Sequence, residues 1–256
     1  MGARAVELGR AVDDDAIIGY GLNAEAVALW GSGELERSAM LHEQAIEHFE
    51  TAGDVWGIGV CTVLRARTAV DAGDQNADEM ATVAVEAARA TGDAHIIGIA
   101  LEQLARVALN SGDPARAAGL VEESLAAHET IGYSEGILSS LHLLGRAELD
   151  DGAPDAARVH HLRALAIAVD IGHAAATIEA LDGLTAVAVA LGDTQRASRL
   201  ARVVETERSA RGLPRRADEA AMFDALLAET TPPDTSTGTP SLAAIVEEML
   251  RSSGAR

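Results

Sequence analysis

The residues with the clearest chemical potential in this 256-residue chain are three arginines at a regular interval: Arg67, Arg106 and Arg146, separated by 39 and 40 residues. A guanidinium group presents a rigid fork of N–H donors that grips a carboxylate or phosphate with two bonds at once. On a chain with 40 acidic and 20 basic side chains, an ordered arginine row is a seat for an anion. The anion could be an acidic segment of another protein or a small carboxylate or phosphate ligand. The competing reading is local pairing, with Arg106 engaging Glu102 one helical turn earlier and the other arginines engaging their own acidic neighbours.

Other reactive side chains fall short of a constellation. His42 and His48 flank Glu43, but a spacing of six puts the two rings on different faces of a helix, whereas a metal pair needs three or four. His160 and His161 are adjacent and diverge by about 100° on a helix. Cys61 lies among Val60, Val63 and Leu64 and reads as a small hydrophobe. With one cysteine there is no intramolecular disulfide and no multi-cysteine zinc site. All 20 basic residues are arginine, so a P-loop, a Schiff-base lysine and a kinase ATP lysine are excluded. The expectation is a non-catalytic protein that needs neither metal nor cofactor.

A net charge of −20 disfavours binding to nucleic acid or to an anionic membrane. No apolar run reaches the roughly 18 residues that span a bilayer, and the first 15 residues carry charges where a signal peptide needs an apolar core. The single cysteine suits a reducing compartment, so a cytoplasmic location is expected.

The elements that would position the arginines are marked by glycine. Gly33, Gly53, Gly73, Gly92, Gly112, Gly132, Gly152, Gly172, Gly192 and Gly212 recur every 20 residues, apart from one step of 19 between Gly73 and Gly92. Asp follows five of them, at Asp54, Asp74, Asp93, Asp113 and Asp193. Glycine closes a helix in the left-handed conformation, and the following Asp accepts from the free N–H groups of the next helix. Between glycines the apolar residues fall at spacings of three and four: Ile97, Leu101, Leu104, Ala105 and Ala108 share one face. Few aromatics, 2% of the chain, leave a core of Ala, Leu, Val and Ile suited to closely packed helices.

Two helices make a unit of about 40 residues, and the chain divides into 14–53, 54–92, 93–132, 133–172 and 173–212. Small residues stand five after the mid-unit glycine at Ser38, Ala117, Ala157 and Ala197. This resembles the tetratricopeptide repeat. The fourth unit carries the match as Leu141, Leu144, Gly145, Gly152, Ala157 and Ala164, the third as Leu101, Leu104, Ala105, Gly112 and Ala117. The second unit departs from it, with Asp78 at the alanine position. The longer Ala- and Arg-rich unit, with the segment 196–229, is similar to the C-terminal sensor region of bacterial LuxR-type and AfsR-type ATP-dependent regulators and related ATPases. That resemblance implies a right-handed all-α superhelical solenoid used in transcription-associated regulation, with large packing residues at His42 and His161. It also implies ligand contacts on the concave face of the first helices. Those would come from the arginine row, from the position four before it (Asn23, Glu102, His142 and Asp182), and from Trp30 and Tyr20 at the N-terminal end.

The remaining segments extend this plan. Residues 1–13 read as the second helix of an earlier unit. A capping helix is expected within 213–229, a Pro- and Thr-rich tether at 230–240, and a short amphipathic helix with its tail at 241–256. In that helix Leu242, Ile245, Val246, Met249 and Leu250 form one stripe that folds back on the array. The expected partner is a protein or peptide with an acidic segment. The alternatives are an anionic small molecule and self-association through the N-terminal face or the C-terminal helix.

Overall fold

The structure, a computed structural model, describes residues 2–213, Ala220 and 240–252. The segments expected to hold the capping helix and the tether lie almost wholly outside the described residues. Among those described there are twelve helices and no strand: α1 (Gly2–Val12), α2 (Asp15–Gly31), α3 (Leu35–Ala52), α4 (Val55–Ala72), α5 (Ala77–Thr91), α6 (Ala94–Asn110), α7 (Pro114–Ile131), α8 (Ser134–Asp150), α9 (Pro154–Asp170), α10 (Ala174–Ala190), α11 (Thr194–Arg211) and α12 (Leu242–Ser252). The fold is all-α and of the helical-repeat, solenoid class.

All ten glycines of the series sit at positive φ, between 63° and 82°, and the place 20 residues before Gly33 is filled by Asp13 at φ 57°. Only glycine takes this conformation without a Cβ penalty, so each marks a forced helix end. At several of these ends the next residue closes the finished helix with its backbone N–H and opens the following one with its side chain, whereas Glu34 and Ala153 make no side-chain cap. Asp54 donates its N–H to the Phe49 carbonyl at 2.9 Å while its Oδ1 accepts from the Gly57 N–H at 2.9 Å. Asp113 and Asp193 repeat the arrangement, bonding back to Ala108 and Ala188 and capping Arg116 and Arg196. His173 does the same with an imidazole, its Nδ1 accepting from the Ala176 N–H at 3.1 Å.

The chain forms two compact units, Met1–Gly136 and Ile137–Arg256, divided inside α8 rather than at a repeat boundary. In the first unit each helix packs on its sequence neighbours from α1 to α7. The first helices of successive repeats, α2, α4 and α6, also touch one another. In the second unit α10 packs between α9 and α11, and α12 lies against both α9 and α11. The expected stripe is the inward face of α12: Ile245 and Met249 are buried, and Arg199 holds Glu248 through two bonds of 2.8 and 3.4 Å.

A single register governs the second helices. Residues 5, 9, 12 and 16 after the mid-unit glycine are buried: Ser38, His42, Ala45 and Phe49 in α3; Ala117, Val121, Ser124 and His128 in α7; Ala157, His161, Ala164 and Ala168 in α9; Ala197, Ala201, Val204 and Arg208 in α11. In α5 the buried set is Ala77, Ala81, Ala84 and Ala88, one residue early throughout. The 19-residue step is therefore a deletion in the turn between Gly73 and Ala77. The buried small residue expected at Asp78 is Ala77, and Asp78 is exposed.

Rings at these positions seat on glycine. Phe49 of α3 lies against Gly19 of α2 and Gly57 of α4; His128 of α7 against Gly98 of α6 and Gly136 of α8; His161 of α9 against Gly145 of α8 and Gly183 of α10. A Cβ on any of these six glycines would overlap the ring, so their bare backbone lets a second helix wedge between two first helices. Gly183→Ala is expected to cost about 1–3 kcal/mol in urea denaturation. Adding His161→Ala should make the Gly183→Ala step smaller. Independent, additive losses would contradict the seating.

Burial also sets the protonation of these rings. Desolvation pushes His161 down to about 3, helped by His142 and His160, and His42 down to about 4, helped by Arg67 and Arg65. Both nitrogens of each ring are buried without a hydrogen-bond partner. An unfolded chain binds protons on these imidazoles near their ordinary pKa of about 6.5 while the folded one refuses them. The stability is therefore complete above that value and is lost as pH falls towards 4, by a few kcal/mol per ring. Urea midpoints measured from pH 7 to pH 4.5 should fall steadily, and His161→Met should flatten the decline; a flat wild-type profile would refute it.

Candidate functional site

In the first unit the arginine row becomes part of a cross-helix network. Asp71, near the C-terminal end of α4, accepts from two neighbouring first helices at once. Its Oδ1 takes the Arg106 Nη1 of α6 at 3.0 Å, and its Oδ2 takes the Trp30 Nε1 of α2 at 2.8 Å. Arg106 also donates to Gln103 at 3.4 Å. The Arg106 and Asp71 side chains are only 11% and 12% exposed, so this ion pair is desolvated and held on both sides. Arg67, one turn before Asp71, lays its guanidinium over the Trp30 ring, 3.8 Å from the centroid. Trp30, Arg67, Asp71 and Arg106 thus form one continuous polar and aromatic strip across α2, α4 and α6.

A second strip runs along the N-terminal ends of the same helices. The Tyr20 hydroxyl of α2 donates to Asp54 Oδ2 at 2.7 Å, and the Trp56 Nε1 of α4 donates to Asp93 Oδ2 at 3.1 Å. Both carboxylates use their other oxygen to cap their own helices. Backbone donation from Gly57, followed by the Tyr20 bond, holds Asp54 below the usual carboxylate range; the Trp56 bond does the same at Asp93. Tyr20, facing that anion, is pushed up to about 12. Its ring packs edge-on against Phe49 at 4.8 Å.

The other expected contact residues take separate places. Asn23 is half-buried on α2, its Oδ1 shielded and without a partner. Glu102 is buried, with Oε1 3.8 Å from His128 Nδ1. His142, Arg146 and Asp182 belong to the second unit. There His142 stacks edge-on near His161 at 5.8 Å, Arg146 lies 4.0 Å from Asp150, and Asp182 accepts the Arg208 Nε at 2.9 Å. Burial raises Asp150 and the Arg146 charge partly restores it. The arginine row therefore divides between the units, with Arg67 and Arg106 joined through Trp30 and Asp71 in the first.

Asp71, Gln103 and Trp56 are the members that spacing did not single out. A signal for Asp71 exists: it stands four after Arg67, as Asp150 does after Arg146. Cys61 is fully buried and its thiol is pushed up to about 12 by desolvation. His42 is buried while His48 points away to Asp15 at 2.6 Å. Among the described residues no three metal-ligating side chains cluster, and no helix is long and apolar enough to cross a membrane.

The strip ranks its own contacts. Removing Asp71 takes away the carboxylate that balances the nearly buried Arg106 charge, so Asp71→Ala should cost about 3–5 kcal/mol. Glu123→Ala, which breaks the exposed 2.8 Å pair with Arg89, should cost under about 1 kcal/mol. Equal losses in urea denaturation would show that the Asp71 network contributes no more than a surface pair.

No family model and no curated protein matches the sequence. Among solved structures the chain is similar to BtubC (BKLC) from P. vanneervenii, with a TM-score of 0.69 and 22% identity over 84% of this chain and 93% of that one. At that identity the likeness establishes the helical-repeat fold.

Proposed function

We propose that the protein is a non-catalytic interaction module of tetratricopeptide type, acting in the cytoplasm, which holds an acidic peptide segment of a regulatory partner across α2, α4 and α6. The observation that carries this reading is the stacking of Arg67 on Trp30 beside the buried Arg106–Asp71 pair. A stacked guanidinium keeps its charge while losing the motion that a mobile side chain would have to give up on binding. Arg106 is the fixed point of the strip: its charge is balanced by Asp71, and that pair ties α6 to α4. Tyr20 and Trp56 add flat, half-polar surface at the other end of the same helices, both 44% exposed and each anchored by its polar atom. Aromatic and arginine side chains held in this way are the usual carriers of binding energy at interfaces.

The tetratricopeptide assignment is supported by the register of small residues after each mid-unit glycine, and the regulatory setting by the resemblance to bacterial sensor regions. The test uses an array of short acidic peptides against charge-neutral peptides of matched hydropathy. The intact chain should retain the acidic set in a salt-sensitive manner. Arg67→Ala should weaken retention about tenfold without lowering the melting temperature appreciably, while Trp30→Leu, which also removes the hydrogen bond to Asp71, should weaken retention by a similar factor and lower the melting temperature. Equal retention of neutral and acidic peptides, or unchanged binding by Arg67→Ala, would overturn the proposal.

A further inference from the structure

The strip along the N-terminal ends of α2, α4 and α6 differs in chemistry from the arginine strip at their other ends. Asp71 and Asp182 face arginines, whereas Asp54 and Asp93 accept only from neutral donors: backbone N–H groups, the Tyr20 hydroxyl and the Trp56 indole. Among the described residues no arginine pairs with either carboxylate. Bonds from the Gly57 N–H and then Tyr20 at Asp54, and from Trp56 at Asp93, hold both carboxyls below the usual range, so both are charged at neutral pH. The helix that each one caps offsets about half a charge, and the remainder is negative. The first unit as a whole adds to it, since residues 1–136 carry 23 acidic side chains against eight arginines.

The two rings that donate to these carboxylates have committed their polar atoms and offer ring surface instead. The Tyr20 and Trp56 centroids are 6.4 Å apart with planes inclined at 37°, and each residue is 44% exposed. A ring attracts a cation within about 6 Å of its centroid, so one positive charge can engage both. Donation of an O–H or N–H to an anion also polarises the ring towards its negative face. A carboxylate meets repulsion at this place, and a neutral group gains nothing from the charge.

We propose that Tyr20 and Trp56, together with Asp54 and Asp93, form a subsite for the cationic side chain of a basic residue in the bound peptide. This rests on the reading of α2, α4 and α6 as a peptide surface and gives the ligand a polarity. α2 and α4 run side by side in the same direction, because Tyr20 meets Asp54 at their starts and Trp30 meets Asp71 at their ends. Ten residues separate Tyr20 from Trp30 and eleven separate Trp56 from Arg67, about 15–16 Å at a rise of 1.5 Å per residue. An extended peptide covers that distance in about five residues. The partner segment therefore carries a basic residue about five positions from the acidic one that meets Arg67.

Two experiments on the intact chain separate this subsite from the reading beneath it. In the first, tetramethylammonium chloride is titrated while the Trp56 indole N–H is followed by NMR, with sodium chloride and tert-butanol as controls at equal concentration. The Trp56 signal should shift saturably with tetramethylammonium alone. No shift, or one reproduced by either control, would overturn the subsite whatever acidic peptides do. In the second, an acidic peptide with arginine five residues from its carboxylates is compared with its citrulline twin, which keeps the shape and loses the charge. The wild type should bind the arginine form about fivefold more tightly, Trp56→Phe should keep most of that ratio, and Trp56→Leu should bring it close to one. Equal binding of the twins by the wild type, or a ratio that survives Trp56→Leu, contradicts the subsite while leaving the acidic-peptide reading intact. If neither peptide binds and tetramethylammonium still shifts Trp56, the acidic-peptide reading falls and the cation subsite stands.

Discussion

Everything in this protein depends on how closely a second helix can approach the two first helices that flank it. Alanine and glycine contribute little dispersion energy per residue, so a core built from them is stable only if backbones come near enough for many small contacts to add up. A few rings, from Phe49, His128 and His161, supply bulk at points where the opposing backbone carries no side chain. The close spacing follows from this complementarity, and so does the alignment of first helices that places Trp30, Asp71 and Arg106 within hydrogen-bonding distance. The choice of histidine over phenylalanine at two of these seats has a cost, because a buried imidazole must remain neutral.

Acidity, which looks like a liability in a chain of net charge −20, is put to structural use at several aspartates. The carboxylates of Asp54 and Asp93 each use one oxygen to start a helix and the other to receive an aromatic donor from the preceding repeat. Asp71 and Asp182 neutralise arginines that are themselves nearly buried. Helix capping and inter-repeat attachment thus share the same groups, and a repeat cannot lose its cap without loosening its neighbour.

The periodic part of this architecture was legible in the sequence because it is dictated locally. A glycine every 20 residues, an Asp after it and apolar spacings of three and four determine helix ends and buried faces without reference to distant residues. The seats were less visible, although their signal is present: Gly19, Gly57, Gly98, Gly136, Gly145 and Gly183 lie inside helices, where glycine is otherwise unfavourable. The arginine row was legible as a spacing but not as an environment. Arg106 meets Asp71 across 35 residues and Asp182 meets Arg208 across 26. A helical wheel drawn for one element shows neither pairing. The division inside α8 likewise has no mark in the glycine series, which runs through it unbroken.

The seats bear on how such a sequence can change. Where the ring is missing, bulk comes from the opposite side: Ala88 takes the place that His128 fills one repeat later, and Ile96 stands where the corresponding first helix elsewhere carries Gly57 or Gly136. The total volume is kept while its donor switches helix. A lone exchange of glycine for a larger residue, or of ring for alanine, leaves either an overlap or a hole. Drift in this array should therefore advance by correlated substitution between neighbouring helices, and its repeats can diverge widely in composition while continuing to stack.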